Sequence, residues 1–225
     1  MKDLLLVVPS RGRPASIGRL REAMAATCRG DTTLLVGLDD DDPQLPDYLD
    51  LKSTWKDLVQ IEPDLHQVVA WINKLAMSHV RGYKYVGHIG DDNVPSTIGW
   101  DVAIMEALEK TPFAFGNDLY PLRPAGALCC HVFCRSEVLA ALGYFGPPSL
   151  RHSYVDDVWM RWGEATGITF LQDVIIEHLH HTVGKSPADQ NYADSGGLTG
   201  QDAAAYSAYC ATELESDIGK IRGCL

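Results

Sequence analysis

Residues 4–43 read LLLVVPSRGRPASIGRLREAMAATCRGDTTLLVGLDDDDP, and this stretch decides the fold. Leu4 to Val8 is an unbroken apolar run rich in Leu and Val, the pattern of a strand buried on both faces. Pro9-Ser10-Arg11-Gly12-Arg13-Pro14 reads as a loop. A helix should follow, with Pro14 near its start and Ile17, Leu20 and Met24 on one face. Thr33 to Leu38 is a second apolar strand that runs into Asp39-Asp40-Asp41-Asp42-Pro43. Strand, helix and strand in this order imply a parallel pair joined by a right-handed crossover.

The pattern continues along the chain. A helix is expected over His66 to His79, with Val68, Ile72, Leu75 and Ala76 at helical spacing, then a strand from Tyr83 to Ile89 closed by Gly90-Asp91-Asp92-Asn93. Trp100, Ile104 and Leu108 mark another helix. Short strands are expected at Phe113 to Phe115 and Ala127 to Phe133. Ser136 should cap a helix from Glu137 to Leu142 that Gly143 ends. A helix from Asp156 or Asp157 to about Thr166 should end at Gly167, before strands at Ile168 to Leu171 and Val174 to Leu179. His181 to Gly200 reads as a loop or lid, and Asp202 to Ile218 as a helix presenting Tyr206, Cys210 and Leu214. The whole is an α/β sandwich around a mostly parallel sheet.

With 225 residues, 46% of them apolar, the chain can build one sizeable core. The apolar run ending at Pro9 is too short for a signal-peptide core, and no stretch approaches the roughly 18–20 apolar residues of a membrane span. A soluble, cytoplasmic protein without membrane insertion is expected. The six cysteines form no CxxC pair and read as buried reduced thiols. A net charge of -11 argues against broad phosphate contact.

The acidity is clustered, and each cluster follows an apolar segment. In open parallel sheets, ligands bind beyond the carboxyl ends of the strands. The sheet could therefore bring Pro9–Arg13, Asp39–Asp42 and Asp91–Asn93 to one edge. Four consecutive acids repel one another unless a cation or hydrogen-bond donors offset them, and Asp39 or Asp40 could accept bonds from a ribose or a base. Asp92, with Asp91 beside it, offers oxygen ligands to Mg²⁺ or Mn²⁺ shared with substrate phosphates. Asp156 and Asp157 lie at a helix start; one suffices as a cap, and Asp157, ahead of Asp156, could act as a general base. His178, His180 and His181 crowd a strand end, with His178 the foremost metal ligand, and Lys185 could contact a diphosphate.

Together these segments resemble GT-A glycosyltransferases of the family 2 type, and the resemblance runs to about residue 192. VVPSRGRP is similar to the family's first strand and nucleotide loop, GLDDDDP to the second strand, and YVGHIGDDNVPSTIGWD to the strand carrying a DxD-type metal motif. YVDDVWMRWGEATG resembles the segment with the catalytic Asp of inverting members, and VIIEHLHHTVGK the late strand whose histidine completes the metal site. The compact form also resembles bacteriophage-encoded glycosyltransferases.

The resemblance implies a GT-A domain over 1–200 with a helical tail, 201–225, packed on it. It implies a nucleotide-diphosphate sugar donor (UDP-sugar favoured), Mn²⁺ or Mg²⁺ as cofactor, and inverting transfer to an acceptor hydroxyl. Pro9, Ser10, Arg11, Arg13, Asp39, Asp40, Asp91 and Lys185 would bind the donor. Asp91, Asp92 and His178 would hold the metal, and Asp157 or Asp156 would take the acceptor proton. The acceptor could be a hydroxymethylated DNA base, a protein or a glycan. Arg11, Arg13, Arg19 and Arg21 could favour DNA, and Tyr154, Trp159 and Trp162 could stack on a base or a sugar. A nucleotidyltransferase, or an inactive nucleotide-sugar-binding module, would share many of these features.

Overall fold

Alternate residues of the first strand belong to different cores. In the computed structural model, which describes residues 1–51, 55, 57–63 and 65–225, Leu5 and Val7 pack on one face of the sheet and Leu4, Leu6 and Val8 on the other. A strand sandwiched in this way has no polar face, so its sequence is continuously apolar.

The elements in chain order are β1 (Lys2–Ser10), α1 (Pro14–Thr27), β2 (Thr32–Asp39), α2 (Leu45–Asp50), β3 (Leu58–Glu62), α3 (Val68–His79), β4 (Tyr83–His88), β5 (Asn93–Pro95) and α4 (Trp100–Leu108). There follow β6 (Phe113–Asn117), β7 (Val132–Arg135), α5 (Ser136–Leu142), α6 (Val155–Thr166), β8 (Ile168–His178), α7 (Gln190–Thr212) and α8 (Leu214–Cys224). The strands form one sheet in the order β3-β2-β1-β4-β7-β6-β8-β5. Its left half and the β6–β8 pair are parallel, while β7 pairs antiparallel with β4 and β6, and β5 with β8. The fold is therefore the expected mixed α/β architecture with a mostly parallel sheet.

The chain winds outward from β1 to β3 and then returns to β4 on the other side of β1. That reversal opens a crevice beyond the carboxyl ends of β1 and β4. Register carries the consequence: Val7 pairs with His88, so three residues further on Ser10 meets Asp91. One face of the sheet is closed by α3, α5, α6 and α8 through Trp71, Ile72, Leu139, Trp159, Trp162 and Ile218. The other is closed by α1 and α4 through Ile17, Leu20, Met24, Trp100 and Ile104.

Several local expectations change. The strand placed over Ala127 to Phe133 is confined to β7, and the two late strands are one, β8, with a register irregularity against β6. Ser136 is the first helical residue of α5 rather than its cap, and its buried Oγ has no hydrogen-bond partner among the described residues. Gly143 does end that helix, in the left-handed conformation at φ 84°. The largest change lies in the expected loop or lid at 181–200. A short turn at His181–Val183 is followed from Gln190 by helix α7, which runs through position 200. Gly196, Gly197 and Gly200 weaken the helical signal there, while side-chain bonds at Asn191, Tyr192 and Asp202 tether the segment at its two ends. No helix among the described residues is long and apolar enough to cross a membrane.

Candidate active site

A cavity of about 700 Å³ occupies the crevice. Its wall gathers Pro9, Ser10, Arg11 and Arg13 from the end of β1, Asp39 from β2, Asp91 and Asp92 beyond β4, Asp156 and Asp157 from α6, and His178 from β8. Of the residues assigned from sequence to the donor, the metal or catalysis, two stand outside it. Asp40 is exposed, because the chain alternates direction as it leaves β2 and of this pair Asp39 turns inward. Lys185 pairs with Glu177 at 2.9 Å and donates to the Leu119 carbonyl, so its charge is spent away from the cavity.

At one end, the acid run is neutralised by donors. Asp39 accepts hydrogen bonds from Trp71 Nε1 (3.0 Å), the His66 amide (3.2 Å) and Arg11 (3.2 Å). Arg11 also reaches Asp41 at 2.5 Å. Asp42 accepts from the Gly12 amide at 2.7 Å, where Gly12 sits at φ 65° as only a glycine does easily. Asp42 thereby locks the β1 loop in place.

At the centre lie the two carboxylates of Gly90-Asp91-Asp92-Asn93. A side chain at Gly90 would collide with Asp92 Oδ1 at 2.6 Å, and the Gly90 amide donates to Asn93 Oδ1 at 2.9 Å, so Asn93 closes this turn. Asp91 is buried against Ser10 Oγ (2.6 Å) and Arg13 Nη1 (2.9 Å). Burial pushes its carboxyl up to about 6, although Arg13 opposes the shift. Burial acts on Asp92 too, but there bonds from His178 and Tyr192 prevail and hold the carboxyl well below the usual range. His178 Nε2 lies 3.3 Å from Asp92 and the Tyr192 hydroxyl 2.7 Å. Carboxylate oxygens and an imidazole nitrogen are a donor set that fits Mn²⁺ or Mg²⁺.

The first turn of α7 reaches back over this centre. Asp189 grips Arg13, Tyr192 lies under the same guanidinium at 4.3 Å, and Asn191 Nδ2 donates to the Arg11 carbonyl at 2.5 Å.

At the far end, Asp202 of α7 is buried and accepts three successive amides, from Arg151 (3.1 Å), His152 (2.9 Å) and Ser153 (2.7 Å). This holds the approach to α6, where Tyr154 takes the left-handed conformation at φ 67°. His66, Leu119 and Tyr154 are the non-glycine residues with positive φ among the described residues, and two of them line the cavity. Asp156 is pushed up to about 6 by burial and by the charge of Asp157, and burial raises Asp157 as well. Asp156 Oδ1 accepts the Asp157 amide at 3.1 Å.

Two expectations about an acceptor fail on packing. Trp162 is buried outside the cavity wall, donating to the Tyr209 hydroxyl (2.9 Å), and Trp159 reaches the wall only as a buried ring held by its bond to the Phe145 carbonyl (2.8 Å), so neither offers an open stacking face. Tyr154 is stacked on Tyr206 with centroids 5.2 Å apart. The early arginines make no basic patch: Arg11 and Arg13 are paired with cavity acids, and Arg21 is buried against Asp57.

Sequence reading missed His66, Trp71, Asp189, Tyr192 and Asp202. Asp189 did carry a signal, an acid before a helix that it caps by accepting the Tyr192 amide. The others gave none, since their partners are distant in the chain.

No protein-family model and no curated protein matches the chain. Solved structures do. S. aureus TarS, residues 1–349 in complex with UDP, superposes with a TM-score of 0.57 at 13% identity, over 77% of this chain and 59% of that one. The chain thus spans less than two thirds of TarS 1–349. The mannosyltransferase PcManGT from Pyrobaculum calidifontis, with GDP-Man and Mn²⁺, gives 0.57 at 12% identity over 94% and 78%. Glucosyl-3-phosphoglycerate synthase from Mycobacterium tuberculosis, with Mn²⁺, UDP and product, gives 0.60 at 11% over 93% and 80%. At such identities the likeness establishes the fold, which is that of the GT-A nucleotide-diphospho-sugar transferases.

Proposed function

We propose that this chain is an inverting GT-A glycosyltransferase that moves a sugar from a nucleotide-diphosphate sugar, a UDP-sugar by preference, to an acceptor hydroxyl. The observation that carries the reading is the convergence of Ser10, Arg13, Asp39, Asp91, Asp92, Asp157 and His178 on one cavity at the strand reversal. UDP or Mn²⁺ accompanies structural neighbours of this fold, which supports the choice of donor and ion.

Asp39, with Arg11, receives the nucleoside. Arg13 and the β1 loop receive the diphosphate. Asp92 and His178, with Asp91 behind them, would hold Mn²⁺ or Mg²⁺, which when bound would offset the charge that grows on the departing diphosphate. Asp157, shaped by Asp156, takes the proton from the acceptor oxygen as that oxygen bonds to the anomeric carbon. The nucleoside diphosphate leaves from the opposite face, and the anomeric centre inverts. An uncharged hydroxyl acceptor suits an acidic protein whose Arg11, Arg13 and Arg21 are already paired; a DNA backbone does not.

The test is calorimetry with UDP. Affinity should be high with Mn²⁺ and fall at least about tenfold in EDTA, and Asp92→Ala should reproduce the EDTA result. Equal affinity in both solutions would overturn the cation's role.

A further inference from the structure

A second group of ligand-type side chains meets beside His178. Asp118, Cys130 and His178 each present one ligand atom, and the three atoms lie within 4.8 Å of one another. The sheet brings them together: Asp118 follows β6, His178 ends the parallel neighbour β8, and Cys130 precedes the antiparallel β7. All three therefore stand at the same edge.

The backbone holds the group in place. The His178 amide donates to the Asp118 carbonyl at 2.9 Å, and the Tyr120 amide donates to Asp118 Oδ1 at 3.1 Å. Asp118 Oδ2 is left facing Cys130, whose thiol donates to it at 3.0 Å. Arg123 reaches the same oxygen from the more exposed side. His178 spends Nε2 on Asp92, and its Nδ1 is buried with no hydrogen-bond partner among the described residues. A buried orphan nitrogen is uncommon and calls for a ligand or a cause.

We propose that Asp118, Cys130 and His178 form a thiolate-containing cation site that takes zinc-like ions in preference to Mn²⁺ or Mg²⁺. Sulfur, nitrogen and oxygen from three side chains, with a fourth position left to water, is a zinc donor set, whereas hard cations avoid thiolate. On binding, Cys130 releases its thiol proton to solvent and Asp118 exchanges that hydrogen bond, and its contact with Arg123, for the metal. The site engages a ring that the hard-cation centre also uses, so the two ions compete for His178. Only this competition rests on the function proposed above.

Cobalt(II) is the probe, because a cobalt–thiolate bond gives a near-ultraviolet charge-transfer band. Reduced protein titrated with Co²⁺ should develop the band at one equivalent, and Zn²⁺ should bleach it. Cys130→Ser should abolish it while Cys210→Ser keeps it, with folding checked by circular dichroism. Asp118→Asn should weaken Co²⁺ binding by at least about tenfold, the scale seen for loss of even an outer partner. No band in the wild-type protein, or a band that survives Cys130→Ser, overturns the site. The two readings fail separately: an absent band alongside Mn²⁺-dependent UDP binding removes the zinc site alone. A band without any UDP binding removes the glycosyltransferase reading alone.

Discussion

Asp189 holds the guanidinium of Arg13 by two parallel bonds, Nε to Oδ2 at 2.6 Å and Nη2 to Oδ1 at 2.8 Å. This is the forked geometry in which arginine also binds phosphate. The carboxylate of α7 therefore stands where a pair of diphosphate oxygens would compete for the same donors. Asp189→Asn should release Arg13 while preserving the helix cap, since an amide oxygen can still accept the Tyr192 amide. An ion pair as exposed as this one is worth about 0.5–1 kcal/mol, so calorimetry should find UDP bound roughly two- to fivefold more tightly. Weaker binding would show instead that Asp189 helps to place Arg13 for the donor.

Asp157→Asn should leave UDP affinity unchanged, because the base faces the acceptor and not the donor. Turnover should fall by about 10²-fold or more. Steady-state rates beside calorimetry on one preparation check both halves. Near-normal turnover, with Asp156→Asn inactive, would transfer the role to the neighbour.

The rate should depend on pH in a defined direction. Burial raises Asp157, and burial together with the charge of Asp157 brings Asp156 up to about 6. A base works deprotonated, so kcat should be level at neutral pH and fall on the acid side at a pH above the ordinary aspartate value. The limb belongs to the pair, since neighbouring carboxylates titrate together. A limb near the ordinary aspartate value of about 4 would contradict the account.

Asp202 anchors the approach to the base: its two oxygens take the amides of Arg151, His152 and Ser153. Asp202→Ala leaves three amides without that partner and should cost about 1–3 kcal/mol in denaturant unfolding. Because the same segment leads into Tyr154 and Asp156, kcat should drop more than UDP affinity. Loss of both in proportion would mark a purely structural role.

What the sequence reveals follows from how local each cause is. β1 and β2 carry continuous apolar runs because helices cover both faces, and β4 is buried at every position but Lys84, so both the strands and the acids beyond them were readable. Strand β3 was not, since Leu58, Val59 and Ile61 lie exposed at the sheet edge and give no buried pattern. β5 is only Asn93–Pro95, and it hid behind the motif it positions. The glycines of α7 disguised a helix as a loop. The contacts that α7 makes were illegible for a different reason: Arg13 and Asp189 are 176 residues apart, and no local pattern relates them.

The central claim is transfer from a nucleotide sugar, and the phosphate product tests it most directly. The protein should be incubated with Mn²⁺ and a panel of UDP- and GDP-sugars, with and without a pool of hydroxyl acceptors, and the products separated by ion-exchange chromatography. The account predicts free nucleoside diphosphate from at least one donor, faster with acceptor and lost in Asp92→Ala. Release of pyrophosphate, or a panel of donors left intact under conditions where UDP binds, would contradict it.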